Sequence, residues 1–559
     1  MNCVIKGGII VDGTGRPPYR ADIVIEDGFI VNIGQLRPED MSPGAKHVIE
    51  VDSLCVAPGF IDIHTHSDLA RIREPLAAEK ITQGVTTEIV GNCGFSVIWS
   101  RHFDGLPVNN QRLVREISAP ILGDCGFDWE TWSITDYFRI LEEQGISLNI
   151  GTLVGHNCLR AAAMGMTNRD PSPLELQAMK DALNEMLDQG ALGLSTGLLY
   201  SPGSYAPFSE LVELAREVGK QGRVYATHIR SESDKVIESV QEAIDVAREA
   251  GAYLHISHHK ASGRKNWGKS KTTLAMMNDA RESGLRVTCD AYPYVAGNTA
   301  LVSFLPQWAA EGGFEALRRR LQDPADRERI KENIRNGLPG WDNVFGAVGL
   351  ENLVVNFVES PRSKWMEGRD LASLAAECGK PALDYLMDII VEEGSATTVI
   401  VYQACEDDLS AIIASPYTAI GSDSLYTSGK PHPRVYGTFP RVISQFVREK
   451  KILSLEEAVR RMTSLPASIM GLDGIGEVAV GKRADLVIFD PDEIRDTAGY
   501  AEPRQFAKGI SHVLVSGVLT YSHGEHTGAR AGRILRRGRE GPQKATQRQC
   551  LRSRLIPRG

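Results

Sequence analysis

Eight short runs of strand-like character, separated by helix-like stretches, constrain this chain more than any other feature. They are GFIDIHTH, VTTEIVGNCG, LNIGTLVGHN, ALGLSTGL, RVYATHIR, AYLHISHHK, LRVTCDAYPY and YTAIGSDS, spread over residues 59–424. Most lack a clean apolar–polar alternation, the mark of strands buried on both faces, as in a parallel sheet. Between them, SPLELQAMKDALNEMLDQG, SELVELAREVGKQG and DKVIESVQEAIDVAREAG carry apolar residues at three- and four-residue intervals, the period of amphipathic helices. Eight buried strands alternating with helices predict an α/β fold of the (β/α)8 barrel type, over about 58–470. Residues 297–364 are too long for a simple strand–helix link and are expected to form an inserted lid.

The two ends of the chain have a different texture. CVIKGGIIV, ADIVIEDGFIVNIG and HVIEVD near the start, and GEVAVGKRADLVIFD and HVLVSGVLTY near the end, alternate apolar and polar residues and are broken by glycine turns. Neither end buries enough surface to be stable alone. They are expected to combine into one small β-sandwich domain, residues 1–57 with 471–538.

Charge is unevenly distributed. The net charge is −9, but ten basic residues and one acid, Glu540, follow from Arg530 onward, leaving 52 basic against 70 acidic residues before it. An acidic body with a short basic end lacks the basic face of a nucleic-acid binder. Residues 539–559 read as a solvated tail. No run approaches the roughly 18 apolar residues of a membrane span, and the N-terminus lacks the pattern of a secretory leader. Nine scattered cysteines without CxxC spacing suit a reducing compartment, so a cytoplasmic location is expected.

Metal-binding residue types gather where these runs end, which is where barrel enzymes place their active sites. The first run ends in His64-Thr65-His66, whose imidazoles share a face if the strand is regular. Cys93 ends the second run, His228 and Arg230 the fifth, His258, His259 and Lys260 the sixth, and Asp423 the eighth. Thiolate, imidazole and carboxylate together are a zinc donor set. Alternation puts His255 with His259 on one face of the sixth run and His258 with Lys260 on the other, and does not choose between them. His156 ends the third run with no role assigned.

PGFIDIHTHSD, with a histidine on runs five and six and an aspartate on run eight, resembles the amidohydrolase superfamily. Many members bridge two metals with a modified lysine on strand four, but here Ser195 stands at that position. GNCG, THIR, SHHK, YPY and HPRVYGTFPR are similar to one branch, the N-acyl-D-amino-acid deacylases, in which a cysteine replaces the lysine. The resemblance implies a tight zinc on Cys93, His228 and His258, with His64, His66 and Asp423 offering a second, weaker position. The SHHK match favours His258 over His255.

By the same resemblance, the reaction is hydrolysis of an N-acyl-D-amino acid, a small-molecule substrate, with Asp423 as the catalytic proton shuttle. The bland reading of Asp423 is a helix N-cap. A carboxylate substrate needs cationic or hydrogen-bonding partners. Lys260, Tyr292, Arg230 and Asn298 are the candidates, and Arg230 has an alternative partner in Glu232 or Asp234. Phe304, Leu305 and Trp308 are expected to pack the insertion onto the barrel. Two other readings remain: a hydrolase of cyclic amides, disfavoured by the missing lysine, and a metal-free scaffold, disfavoured by the complete donor set.

Overall fold

The structure is a computed structural model, and it describes residues 3–36, 47–106, 110–123, 126, 128–129, 131–426 and 428–537. The expected basic tail lies outside the described residues. The chain begins with β1 (Cys3–Ile10), β2 (Tyr19–Glu26), β3 (Phe29–Gly34), β4 (His47–Glu50) and β5 (Cys55–Pro58). It then enters the first of the eight predicted runs.

That run is β6 (Phe60–Asp62) followed by β7 (Thr65–His66), and the second is β8 (Val85–Val90). The third is β9 (Asn149–Thr152) and β10 (Val154–Gly155), interrupted only at Leu153. Runs four to seven are β11 (Gly193–Gly197), β12 (Val224–His228), β13 (Tyr253–Ile256) and β14 (Val287–Ala291).

After β14 the chain makes a long excursion. It contains β15 (Ala296–Ala300), β16 (Leu353–Phe357) and β17 (Thr398–Tyr402), an antiparallel sheet with β17 in the middle, plus several helices. The excursion therefore continues well past Lys364. It returns as the eighth run, β18 (Thr418–Ile420) and β19 (Ser424–Leu425).

The pairing of these runs is parallel and sequential. β6 pairs β8 and β8 pairs β9; β10 to β14 pair in order, and β14 pairs β18. β19 pairs β7, which sets the eighth run beside the first, a TIM-barrel-like order. Ser422 N–H donates to Asp62 Oδ1 (2.8 Å), and Lys80 Nζ bridges Asp62 (2.5 Å) and Ser422 (2.7 Å), reinforcing the same junction. Ile61, Ile89, Leu153, Leu192, Val224 and Ala419, each from a different run or its edge, belong to one apolar cluster.

The connecting helices form where their caps say they should. Helix Pro173–Asp188 starts with Ser172 and Glu175 in a reciprocal capping box and Pro173 at the first turn. Its Met179, Leu183, Met186 and Leu187 are buried.

The chain closes with β20 (Leu486–Phe489), β21 (Ile510–Val515), β22 (Val518–Ser522) and β23 (Glu525–His526). β20 pairs β5, so the two chain ends share one nine-stranded sheet. Ile5, Ile23, Ile25 and Ile30 from one end pack with Leu486, Ile488 and Leu514 from the other in a separate apolar cluster. No described helix is long and apolar enough to cross a membrane.

Candidate metal centre

Six of the predicted residues meet at the C-terminal ends of the parallel strands. Cys93 Sγ lies 3.3 Å from His64 Nε2 and 3.3 Å from His258 Nε2. His228 stacks edge-on against His258, with ring centroids 4.4 Å apart. Asp423 Oδ1 lies 3.3 Å from His66 Nε2 and 3.5 Å from His64 Nε2. His64 therefore stands in both donor groups, His64–Cys93–His258 and His64–His66–Asp423, and a third group joins His228, Glu232 and His258.

Three of these side chains hang from unusual backbone. Cys93, His258 and Asp423 have φ of 51°, 34° and 50°, a region costly for residues other than glycine and concentrated at functional sites. The sixth run has left its strand at Ile256, so alternation no longer applies at His258. The turn brings His258 to Cys93, whereas His255 donates or accepts with Thr288 (2.9 Å) and Asp290 (2.9 Å), and His259 with Thr273 (2.7 Å).

The electrostatics fit a cation. Burial opposes ionisation of Cys93, yet His64, His258 and His228 outweigh it and hold the thiol well below its usual range. Burial and Lys260 oppose protonation of His258, but Cys93, Glu232 and Asp423 raise it to about 9. Burial disfavours the Asp423 carboxylate, but Arg434, His258 and the neighbouring imidazoles keep its pKa well below the carboxylate range. A thiolate and a carboxylate thus draw protons onto imidazoles that a divalent ion would replace. Both ring nitrogens of His228 and Nδ1 of His66 are buried without a hydrogen-bond partner. Such orphans are rare unless something binds them.

The predicted substrate contacts divide. Lys260 and Tyr292 line the pocket over this centre. Lys260 Nζ lies 2.6 Å from Glu232 Oε1 and 2.9 Å from His258 Nδ1. Arg230 does not line the pocket: it grips Glu242 (2.9 Å) and donates to the carbonyls of Ser204 (2.9 Å) and Ala206 (3.1 Å). Glu242 lies on the next helix, not on the loop where its partner was sought. Asn298 lines the pocket, but its Nδ2 already donates to Asn356 Oδ1 (2.9 Å) and the Val399 carbonyl (2.9 Å). Its remaining Oδ1 is an acceptor and cannot hold a carboxylate.

Asp423 is no helix cap, since the next helix starts at Arg434. His156 pairs with Glu210 (2.7 Å) and does not line the pocket. Of the insertion residues, Phe304 reaches the pocket, while Trp308 bonds Asn333 (2.8 Å) within the excursion.

Sequence reasoning missed three residues. Arg434, fully buried, places Nη1 2.8 Å from Asp423 Oδ2 and its guanidinium 4.7 Å from the Tyr292 ring centroid. Asp290 accepts from His64 Nδ1 (3.2 Å) and His255 Nε2 (2.9 Å), and takes the His258 N–H (3.0 Å). Glu232 backs Lys260 and His258, at 2.6 and 2.9 Å. Asp290 was legible as an acid ending the seventh run, and Arg434 as the charge inside HPR. Glu232 carried no signal.

A parallel α/β chain with imidazole, thiolate and carboxylate donors at the strand ends defines a metal-binding α/β class. The chain belongs to the amidohydrolase family, whose model matches residues 48–521. It is 34% identical to D-aminoacylase of Alcaligenes xylosoxydans xylosoxydans, over 96% of this chain and 98% of that protein. It is 35% identical to N-acyl-D-glutamate deacylase of the same organism, over 96% of this chain and 97% of that protein. Among solved structures it is similar to N-acyl-D-glutamate deacylase from Bordetella bronchiseptica, complexed with zinc and a phosphonate mimic of the reaction's tetrahedral intermediate. That similarity has a TM-score of 0.80 at 34% identity, covering 96% of this chain and 99% of the other.

Proposed function

We propose that this protein is a zinc-dependent hydrolase that cleaves the amide bond of N-acyl-D-amino acids, releasing a D-amino acid and a carboxylate. The observation that carries the reading is the Cys93 thiol, 3.3 Å from each of two imidazoles, beside a His228 whose ring nitrogens have no hydrogen-bond partner. The near full-length similarity to two deacylases supplies the substrate class.

Cys93, His228 and His258 would hold the tight zinc, and His64, His66 and Asp423 a second position. Zinc in such a site supplies a water ionised near neutral pH and a positive charge for the developing oxyanion. Arg434 engages Asp423 Oδ2 and leaves Oδ1 facing the imidazoles. In this reading Asp423 Oδ1 takes the proton of the attacking water and returns it to the leaving nitrogen. Asp290 orients His64 through Nδ1, and Glu232 does the same for His258, as outer carboxylates do for metal-bound histidines. Lys260 and Tyr292 would receive the substrate carboxylate. Arg434 does not itself line the pocket; from beside the Tyr292 ring it would add the positive charge first sought in Arg230.

For the architecture, we infer a closed (β/α)8 barrel, supported by the β19–β7 ladder, and a sandwich fold of the nine-stranded sheet around its own apolar cluster. The domain boundaries follow: a barrel within 58–470, a β-domain from 1–57 and 471–538, and a lid formed by the excursion. The seven described cysteines are free thiols, which suits the cytoplasm.

The test is zinc analysis of the purified protein together with hydrolysis assays. Tightly bound zinc and turnover of N-acetyl-D-amino acids, with little on the L-forms or on dihydroorotate and hydantoins, are expected. Turnover confined to cyclic amides, or a protein that holds no zinc, overturns the assignment.

A further inference from the structure

Two arginines and two tyrosines interlock behind the metal-site pocket. Helix Arg434–Arg441 begins and ends with an arginine. Seven residues are close to two helical turns, so both side chains leave the helix on one side. The Arg434 guanidinium lies 4.7 Å from the Tyr292 ring centroid, and that of Arg441 lies 4.7 Å from the Tyr294 ring centroid. Tyr292 and Tyr294 flank Pro293 just after the seventh run, and the Pro293 carbonyl accepts from Arg441 Nε (2.8 Å). The segments YPY and HPRVYGTFPR therefore meet in register. The fit is close: a Cβ added to Gly437, midway along the helix, would fall 2.8 Å from the Tyr294 hydroxyl.

The outer side of this contact is braced by the chain ends. Arg441 Nη1 donates to Asp496 Oδ2 (3.0 Å), and Asp496 lies in the connection between β20 and β21 of the nine-stranded sheet. The same added Cβ at Gly437 would fall 2.8 Å from Asp496 Cβ, so helix and connection touch directly. Tyr500, in the same connection, sets its ring against His432 (centroids 5.1 Å apart), whose Nδ1 accepts the Arg434 N–H (3.0 Å). A planar guanidinium that spans a carbonyl, a carboxylate and an aromatic face fixes all three relative to one another.

Of these residues, Tyr292 lines the pocket, while Tyr294, Arg441 and Asp496 do not. The Tyr292 hydroxyl has one hydrogen-bonding contact among the described residues, a long one to Gln403 Nε2 (3.5 Å). Its tip is therefore held weakly, and its place is set from its ring and backbone. We propose that Arg441 is a positioning residue: braced by Asp496 of the chain-end sheet, it holds the Tyr292-Pro293-Tyr294 segment so that the Tyr292 hydroxyl meets the substrate carboxylate. The proposal rests on the deacylase reading and adds a function for the chain-end sheet, to which that reading gives none.

The experiment is a double-variant cycle on the zinc-loaded, full-length enzyme, with the N-acetyl-D-amino acid it turns over fastest. Tyr292→Phe removes the hydroxyl alone, and Arg441→Met removes the brace at similar length. Hydrogen bonds to charged groups are worth about tenfold or more. Arg441→Met should keep its zinc and raise KM by about tenfold, yet raise it no further in the Tyr292→Phe background. A residue that merely stabilises the fold would add its whole effect to that of Tyr292→Phe.

Asp496→Ala should act in the same direction by a smaller factor, and it carries the cycle if Arg441→Met fails to fold, as judged by circular dichroism and zinc content. An unchanged KM in both variants, effects fully additive with Tyr292→Phe, or loss of fold in both, overturns the positioning role. Absence of turnover by the parent enzyme on every N-acyl-D-amino acid is a different result, which sinks the deacylase reading and this one with it.

Discussion

Asp423 sits where three neighbours, one arginine and two histidines, compete for one carboxylate. Arg434 takes Oδ2 at 2.8 Å, and His66 and His64 approach Oδ1 at 3.3 and 3.5 Å. A group so placed is ionised and aimed, as a general base must be. Asp423→Asn keeps the shape but removes the base. It should retain zinc at the proposed Cys93, His228 and His258 ligands while kcat falls by about 10²–10⁴, and near-normal turnover would exclude the proton-shuttle role.

The same centre makes a pH prediction. In the metal-free protein His258 is protonated below about 9 because Cys93 and Glu232 outweigh burial and Lys260. Zinc needs the neutral ring, so binding must expel that proton, and affinity weakens as pH falls below that value. Each pH unit should cost about tenfold per proton displaced. Titration of apoprotein with zinc between pH 6 and 9 measures it, and an affinity independent of pH would contradict a protonated His258.

At the scale of elements, the cysteine is held by its neighbours' smallness. Ser195 accepts the Gly94 N–H (3.1 Å) and donates to the Gly91 carbonyl (2.5 Å), clasping the Cys93 turn at both ends. Gly197, ending β11, lies so close that an added Cβ would fall 2.0 Å from the Cys93 carbonyl oxygen. Both partners there are backbone or the strand itself, so neither yields easily. Gly197→Ala should displace Cys93 and cost the protein most of its zinc while its circular dichroism stays close to that of the parent. Full zinc retention would mean that the turn tolerates the shift.

The excursion is fastened in the same piecemeal way. Asp342 accepts from Ser231 Oγ (2.7 Å), the Glu232 N–H (3.0 Å) and Ser233, joining the inserted segment to the loop after β12 that supplies Glu232.

For the molecule as a whole, the chain ends matter as much as the strands between them. β5 runs directly into β6, and β5 also pairs with β20, more than 400 residues later. The sheet shared by the ends therefore abuts the run that carries His64 and His66. Helix Arg434–Arg441 brings Arg434 back over the centre after the eighth run and so carries a charge contributed by no strand. The excursion supplies Asn298, Phe304, Asp342 and Gln403 to the pocket, so part of its lining comes from outside both the parallel strands and the sheet of the chain ends.

The order of the parallel runs, the union of the two ends and the gathering of Cys93, His64, His66, His228 and Asp423 were all legible from local pattern. They depend on side-chain period and on strand ends, which the residues themselves encode. His258 needed the resemblance, because its turn departs from strand geometry just where alternation would be applied. Contacts made across the fold were not legible. Arg230 was lost to Glu242 on a neighbouring helix, Asn298 to a strand 100 residues away, and Asp290 found His64 from the other end of the barrel order. A buried polar group takes whichever partner the packed chain sets within hydrogen-bond reach, and that distance exists only once the whole chain has closed around it.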